Sequence, residues 1–504
     1  MKNKLIWLIS LILIAGLDTR AQTNPGFEEG LSGWEPTEQT TSVKIVTDNI
    51  YQGNASVRLG NENAEIIQRI SLPQLCLFYY NTHIKSSDKN TIGYSFVRFY
   101  DKNDHLLIEY KNKPISSITY QTSSYYTESP ALTQYATIGV KKSNGKGYIY
   151  ADDFSIKTRF GEPENKPQAT VNLDQYMKPF WKTDTIYNET ILLYSINGQP
   201  ANGRLLFQPD KIISVKSFDL KTAYANAKDY DLKGNVITRI DKSDIPYRAD
   251  TSFSHKNFAW FNIQSQWIAV TYTHHDKWDG VKPEYKGDDM PNTLAKLKSK
   301  TPMTIVAYGM SITRGMNVSG YDMKVPYMPS YVDLFTRALK EKYHENIKLY
   351  NAGLPGSKID WGAEYTDEYV NALKPDLVII DFGMNDFSGF TSEQFMEYAK
   401  TIINKLKAAN PKVEIMLLSN MKFDPEYIAM SDPKRDFCLN NMIAYNKVFQ
   451  SFQTKGIINL DMTDISEMLF DKKKPKDCIS NPLHPNDYMA RWYAQGMAAL
   501  LIKD

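Results

Sequence analysis

The chain predicts a multidomain protein, with two antiparallel β-sandwiches in its N-terminal part followed by a three-layered α/β/α domain. Three observations carry that expectation. Its 504 residues exceed what one hydrophobic core usually organises. Short alternating runs of Tyr, Thr, Ser, Ile and Val, punctuated by turn residues, fill the chain to about Pro283. From about Leu294 the pattern changes to apolar strands alternating with amphipathic helices. A composition of 42% hydrophobic and 23% charged residues is that of globular domains and excludes a disordered or fibrous chain. The net charge of +2 offers no field for nucleic acid.

Taken in order, residues 1–21 read as a signal peptide: Lys2 and Lys4, the apolar run Leu5 to Leu17, then Asp18-Thr19-Arg20-Ala21 with a small residue at the cleavage position. The run is short for a bilayer span and no cysteine follows it, so the expectation is export to the periplasm or beyond, with no membrane span in the mature chain. Cys76, Cys438 and Cys478 are an odd, scattered set, so stability must come from cores rather than a disulfide framework.

Residues 22–160 form the first predicted sandwich, with runs such as Ser95-Phe96-Val97-Arg98-Phe99-Tyr100 and Tyr148-Ile149-Tyr150; Gly161 to Pro167 reads as a linker. Residues 169–290 form the second, with strands such as Ile191-Leu192-Leu193-Tyr194 and Trp267 to Tyr272. In residues 294–504, strands are expected at Thr304 to Ala307, Lys348 to Tyr350, Asp376 to Ile380, Glu414 to Leu418 and Ile457 to Leu460, with helices at Tyr331 to Tyr343 and Ser392 to Ala409. Strands apolar on both faces and separated by helices imply a covered parallel sheet, whose ligands gather at the strands' carboxyl ends.

Four polar segments follow strand ends in that domain. They are Tyr308-Gly309-Met310-Ser311-Ile312-Thr313-Arg314-Gly315, Asn351-Ala352-Gly353-Leu354-Pro355-Gly356, Asp381-Phe382-Gly383-Met384-Asn385-Asp386 and Asn481-Pro482-Leu483-His484-Pro485-Asn486-Asp487. Gly-x-Ser alone is a weak signal, since small residues crowd any strand-to-loop turn. In this order, however, the segments resemble the four signature blocks of the SGNH/GDSL hydrolase superfamily, over about residues 294–504. Upstream, Tyr272-Thr273-His274-His275-Asp276-Lys277-Trp278-Asp279-Gly280 and Met290-Pro291-Asn292-Thr293 are similar to the lead-in of two-domain, carbohydrate-esterase-like bacterial members. The resemblance implies a flavodoxin-like α/β/α fold and attaches the 169–290 sandwich to the enzyme. It also implies Ser311 as nucleophile and backbone donor, Gly356 and Asn385 as further oxyanion donors, and His484 as base. The chemistry agrees: serine needs an imidazole to take its proton, and an ester oxyanion needs fixed donors at about 3 Å.

The sequence departs from the family at two positions. Met310 stands where aspartate usually precedes the serine, and Asn481 stands where the acid supporting the histidine is usual. Asp477 is the favoured substitute for that acid, with Asn481 or a backbone carbonyl as the alternative that orients the ring. The ends of the first sandwich, Asn24-Pro25-Gly26-Phe27-Glu28-Glu29-Gly30 with Trp34 and Tyr150-Ala151-Asp152-Asp153-Phe154-Ser155-Ile156, resemble those of carbohydrate-binding jelly-roll modules.

Trp361, Tyr321 and Tyr327 flank the blocks as candidate sugar-stacking residues, with ordinary packing as the competing role. Adjacent His274 and His275 point to opposite strand faces, so neither they nor Asp276 and Asp279 make an expected metal site; no metal or cofactor is expected. His344 is expected at the surface and Asp386 as the cap of the helix that follows it. Asn54, Asn188 and Asn317 head glycosylation sequons. The expected function is a secreted serine esterase removing acetyl or other small acyl groups from an acylated carbohydrate. A lipase or aryl esterase, or an inactive glycan-binding protein, are the alternatives.

Overall fold

The computed structural model describes residues 22–37, 42–60, 63–159, 166–249, 263–424 and 434–503. The expected signal peptide and most of the expected linker lie outside them. The chain divides into two compact units, Met1–Asn165 and Lys166–Asp504.

The first unit is a sandwich of two five-stranded antiparallel sheets. One runs in the order Glu35–Pro36, Glu65–Ser71, Tyr135–Asn144, Ile92–Tyr100, Leu106–Lys111; the other runs Val43–Val46, Ser56–Leu59, Ile149–Arg159, Leu77–Ser86, Gln121–Glu128. Alternation drives the layering. Along Glu65–Ser71, for example, Ile66 and Ile70 are buried while Arg69 faces water. The two chain ends that resemble carbohydrate-binding modules meet in one aromatic cluster, where Phe27, Trp34 and Phe154 lie 4.4–5.7 Å apart.

The second unit holds the other sandwich and the α/β domain together. Its four-stranded sheet runs Thr185–Leu192, Trp267–Thr273, Lys211–Ser217, Ala223–Tyr224, and its five-stranded sheet runs Tyr230–Lys233, Val236–Arg239, Asn202–Arg204, Tyr194–Ser195, Arg248–Ala249. The run expected as one strand at Ile191 to Tyr194 breaks at Leu193. That residue's carbonyl accepts from Arg248 N–H in the second sheet, so the chain changes sheets there.

The α/β domain contains five parallel strands: β1 (Met303–Gly309), β2 (Ile347–Gly353), β3 (Leu377–Asp381), β4 (Glu414–Leu418) and β5 (Ile457–Leu460), in the order β2-β1-β3-β4-β5. This is the flavodoxin-like order, and its switch point lies at β1 and β3. The helices are α1 (Pro291–Ser299), α2 (Ser311–Arg314), α3 (Tyr331–Lys342), α4 (Ile359–Glu364), α5 (Ser392–Ala409), α6 (Arg435–Ser451), α7 (Met462–Lys472) and α8 (Asp487–Leu501). β3 and β4 are buried at every position, which is why they read as continuous apolar runs. The α5 helix begins on a Thr391–Gln394 capping box, matching the expected start at Ser392.

Helix α8 binds the sandwich to the sheet. Arg491 donates to the carbonyls of Tyr187 and Asn188 at 2.7 and 2.9 Å. Gln495 exchanges hydrogen bonds with Tyr176, Lys178 and Phe180 at 3.0–3.1 Å, and Trp492 packs on Phe180, Trp181 and Trp278. Below them, fully buried Lys473 pairs with Glu189 of the sandwich and lies 3.6 Å from Asp477.

Candidate active site

Strand β1 ends at Gly309, where a Cβ would come within 2.2 Å of Thr313 Oγ1 and 2.3 Å of the Asp381 carbonyl, so only glycine fits between β1 and β3. One residue later the chain turns into α2, with Ser311 at its first position. Thr313 fixes the turn: its Oγ1 accepts from Met310 N–H at 3.1 Å and donates to Asp381 at 2.8 Å. Asp381 also accepts from Tyr331 and Asn420, at 2.7 and 2.6 Å; its burial pushes the carboxyl up to about 6. Asn351, from the second block, donates to the Thr313 carbonyl at 2.9 Å and ties β2 to the same turn.

Ser311 Oγ lies 2.8 Å from His484 Nε2, and both residues are buried. His484 sits on the short strand His484–Pro485, which pairs with Ile479–Asn481. Behind the ring stands Asn481, with Oδ1 at 2.9 Å and Nδ2 at 2.8 Å from Nδ1. Its amide is oriented by its other partners: Oδ1 accepts from the N–H groups of Leu483 and His484, and Nδ2 donates to Asn317 Oδ1 at 2.8 Å. Burial alone pulls His484 down to about 4, so the ring is neutral at pH 7.

Asp477, expected as the acid, is not at the ring. Its Oδ1 accepts from Leu192 N–H at 2.7 Å and its Oδ2 faces Lys473, because the turn Pro475–Asp477 packs against the strand Thr185–Leu192 of the sandwich. Burial raises its carboxyl pKa against the opposing pull of Lys473. Among the described residues no carboxylate bonds to His484, and the alternative Asn481 occupies the supporting position.

Gly356 has φ +84°, in the left-handed region that favours glycine, and nothing lies within 4 Å of where a Cβ would project. Asn385 donates through Nδ2 to the Ser357 carbonyl at 2.8 Å and lies 3.7 Å from the Met310 sulfur. Met310, fully buried, thus packs against the amide of the third segment. Asp386 does not cap the helix after it. Its carboxylate instead accepts from Ile359 N–H at the start of α4 and from Gly383 N–H, both at 2.9 Å.

The aromatic candidates divide. Trp361, on α4, packs against Tyr308, Tyr365 and Tyr369 with ring centroids 4.9–5.8 Å apart, so its visible contacts are packing contacts. Tyr321 is buried and Tyr327 half-buried in the loop between α2 and α3. His274 stacks on Phe207 and bonds the Asp276 carbonyl, whereas exposed His275 pairs with Asp210, so the two rings face different partners. His344 is half-buried, bridging the Lys296 carbonyl and Asn346 N–H. Two supporting residues were not singled out as such in the sequence. Asn317, visible only as a sequon, holds Asn481; Asp487 accepts from the N–H and hydroxyl of Ser319 at 2.7 and 2.6 Å and anchors that loop.

The GDSL-like lipase/acylhydrolase family matches residues 307–492. A comparison with curated proteins gives no match. Among solved structures, the chain is similar to a two-domain esterase (CEX) active on acetylated mannans and co-crystallized with mannopentaose, at 19% identity and a TM-score of 0.35, over 45% of this chain and 57% of that one. It is similar to TmCBM61 in complex with β-1,4-galactotriose, at 18% identity and a TM-score of 0.23, over 28% of this chain and 98% of that one. It is also similar to the enzymatically active domain of tailspike protein 4 of bacteriophage CBA120, at 18% identity and a TM-score of 0.25, over 28% of this chain and 21% of that one. The chain therefore spans about a fifth of the tailspike domain and little more than half of the two-domain esterase. Among the described residues, no helix is long and apolar enough to cross a membrane.

Proposed function

From a chain whose residues 307–492 form a GDSL-like lipase/acylhydrolase domain, we propose an exported serine esterase that removes acetyl or other small acyl groups from carbohydrate through an acyl-serine intermediate. The observation that carries the proposal is the 2.8 Å contact between Ser311 Oγ and His484 Nε2. The carbohydrate half of it rests on the ends of the N-terminal sandwich, and export rests on the leader-like first 21 residues.

In this mechanism Nε2 takes the Ser311 proton as Oγ attacks the ester carbonyl carbon. The oxyanion is held by the N–H groups of Ser311 and Gly356 and by Asn385 Nδ2; among the described residues neither N–H has a protein acceptor. Collapse breaks the bond to the sugar oxygen, which leaves with the proton from Nε2. Water then gives a proton to the same nitrogen, attacks the acyl carbon, and releases the acid and the serine hydroxyl. Asn481 acts by orienting the imidazole, and the imidazolium forms without a carboxylate behind it.

Comparing rates on acetylated oligosaccharides and on the same sugars carrying longer acyl chains, with mass spectrometry of the products, tests the substrate. The expected result is loss of acetyl groups and a steep fall in rate with chain length. Rates that rise with chain length would favour a lipase or aryl esterase. Glycan binding without turnover would favour an inactive binding protein.

The pH profile provides a second check. A base held at about 4 stays neutral, and therefore competent, far below the ordinary histidine value of 6.5. The acid limb of kcat/KM assigned to His484 is expected near pH 4. A rate that falls tenfold per pH unit below 6.5, with no plateau before pH 4, would mean that a charge stabilises the imidazolium.

A further inference from the structure

Asp386 is fully buried beside Asn385, and its two carboxylate oxygens serve two different loops. One accepts from Ile359 N–H, three residues beyond Gly356; the other accepts from Gly383 N–H, two residues before Asn385. The same two loops are joined a second time by the Asn385 Nδ2 bond to the Ser357 carbonyl. The backbone of this region is also held by Tyr445, whose hydroxyl donates to the Phe390 carbonyl at 2.6 Å and lies 3.2 Å from that of Asp386. Neither segment belongs to a strand; the first is tied to β1 by Ser357, whose hydroxyl donates to the Gly309 carbonyl at 3.0 Å, and the bonds through Asp386 and Asn385 join the two segments to each other.

We propose that Asp386 is a positioning residue of the acyl-transfer site, a carboxylate staple that fixes the spacing between the Gly356 N–H and the Asn385 amide. The inference rests on the serine-esterase reading above, because the spacing matters only if those two donors share one oxyanion. An ionised carboxylate accepts from both N–H groups through two equivalent oxygens. Protonation turns one of them into a hydroxyl, a weaker acceptor, and an asparagine sets a donor NH2 against that N–H. The charged and titratable groups around it are Lys358 and Asp360 on the first loop and the start of α4, and Tyr445 on α6. Burial, opposed by the two N–H bonds and by Lys358, pushes its carboxyl up to about 7, so the staple is predicted to be complete above neutrality and half-open below.

The test uses the full-length chain and compares wild type, Asp386→Asn and Ser311→Ala on one acetylated sugar between pH 5 and 9. For Asp386→Asn, kcat is expected to fall by about 10- to 100-fold with KM within about twofold, since donors displaced by a fraction of an ångström lose transition-state binding first. Wild-type kcat is expected to rise through a step near pH 7, and this step should be absent from Asp386→Asn. Wild-type kcat in the variant, or a step that persists in it, overturns the proposal while leaving the serine mechanism intact. Activity in Ser311→Ala overturns both. If Asp386→Asn fails to accumulate as folded protein, the wild-type profile still decides, because a profile flat through pH 7 is incompatible with a titrating staple.

Discussion

Replacing Ser311 by alanine is expected to lower kcat by about four to six orders of magnitude while leaving the thermal unfolding midpoint where it is. Both halves follow from the local structure. The turn carrying the serine is held by Met310 N–H, Thr313 and Asp381, none of which uses Oγ, and the hydroxyl's partner is His484. Removing it deletes the attacking atom and leaves the oxyanion donors in place, so a small residual rate is expected above the uncatalysed one. His484→Ala should fall nearly as far. The informative contrast is Asp477→Asn. Were Asp477 the catalytic acid, kcat would drop by about four orders of magnitude, whereas its position against Leu192 and Lys473 predicts that kcat changes by no more than a few-fold while stability falls. Steady-state kinetics on an acetylated sugar, with unfolding curves for each variant, read out all three.

The second large effect is on stability. Lys473→Met is expected to destabilise the Lys166–Asp504 unit by about 3–5 kcal/mol, because it strips the cation from two buried carboxylates. Burial disfavours the ammonium, but Glu189 and Asp477 outweigh it and hold its pKa above the usual lysine value. The remaining partners cannot compensate. Glu189 already accepts from Tyr272 Oη at 2.6 Å and Leu206 N–H at 2.8 Å, and neither neutralises a charge. The neighbouring Lys472 serves as the comparison: it pairs with exposed Asp279 at 2.8 Å, where solvent screens the charges and the pair adds little to stability. Equal losses of denaturation midpoint in Lys472→Met and Lys473→Met would show that the buried cluster contributes no more than a surface pair.

How much of this was legible in the sequence depended on how local each feature is. Ser311, Gly356, Asn385 and His484 lie in short segments at strand ends, where a turn and a polar side chain are written side by side, and the structure gathers these segments at one rim of the sheet. The strands β4 and β5 match their expected bounds because full burial leaves an unbroken apolar run, while β1 and β2 extend past their expected ends to Gly309 and Gly353, where the sheet still pairs residues that belong to the following turns. The supporting acid was misread. Asp477 is near His484 in sequence, but its direction is set by a backbone N–H more than 280 positions away, which local spacing does not encode. Asp386 differs from its expected role as a cap of the following helix for the same reason, since its partner Ile359 lies upstream at the start of α4. Asn317 carried only a glycosylation signal, although its amide meets Asn481.

The anchoring of Asp477 on Leu192 reaches further than one misassigned carboxylate. Asn486 donates to the Asp477 carbonyl at 2.8 Å, so the segment that delivers the imidazole is moored at its root to a strand of the sandwich. The two accessory pieces are therefore unequal as interchangeable parts. Grafting or deleting the module before residue 166 leaves that mooring untouched, whereas trimming to residue 290 in search of a minimal hydrolase would release the loop bearing His484. Recombination between relatives should accordingly tolerate breakpoints near 166 and select against those between the sandwich and the sheet.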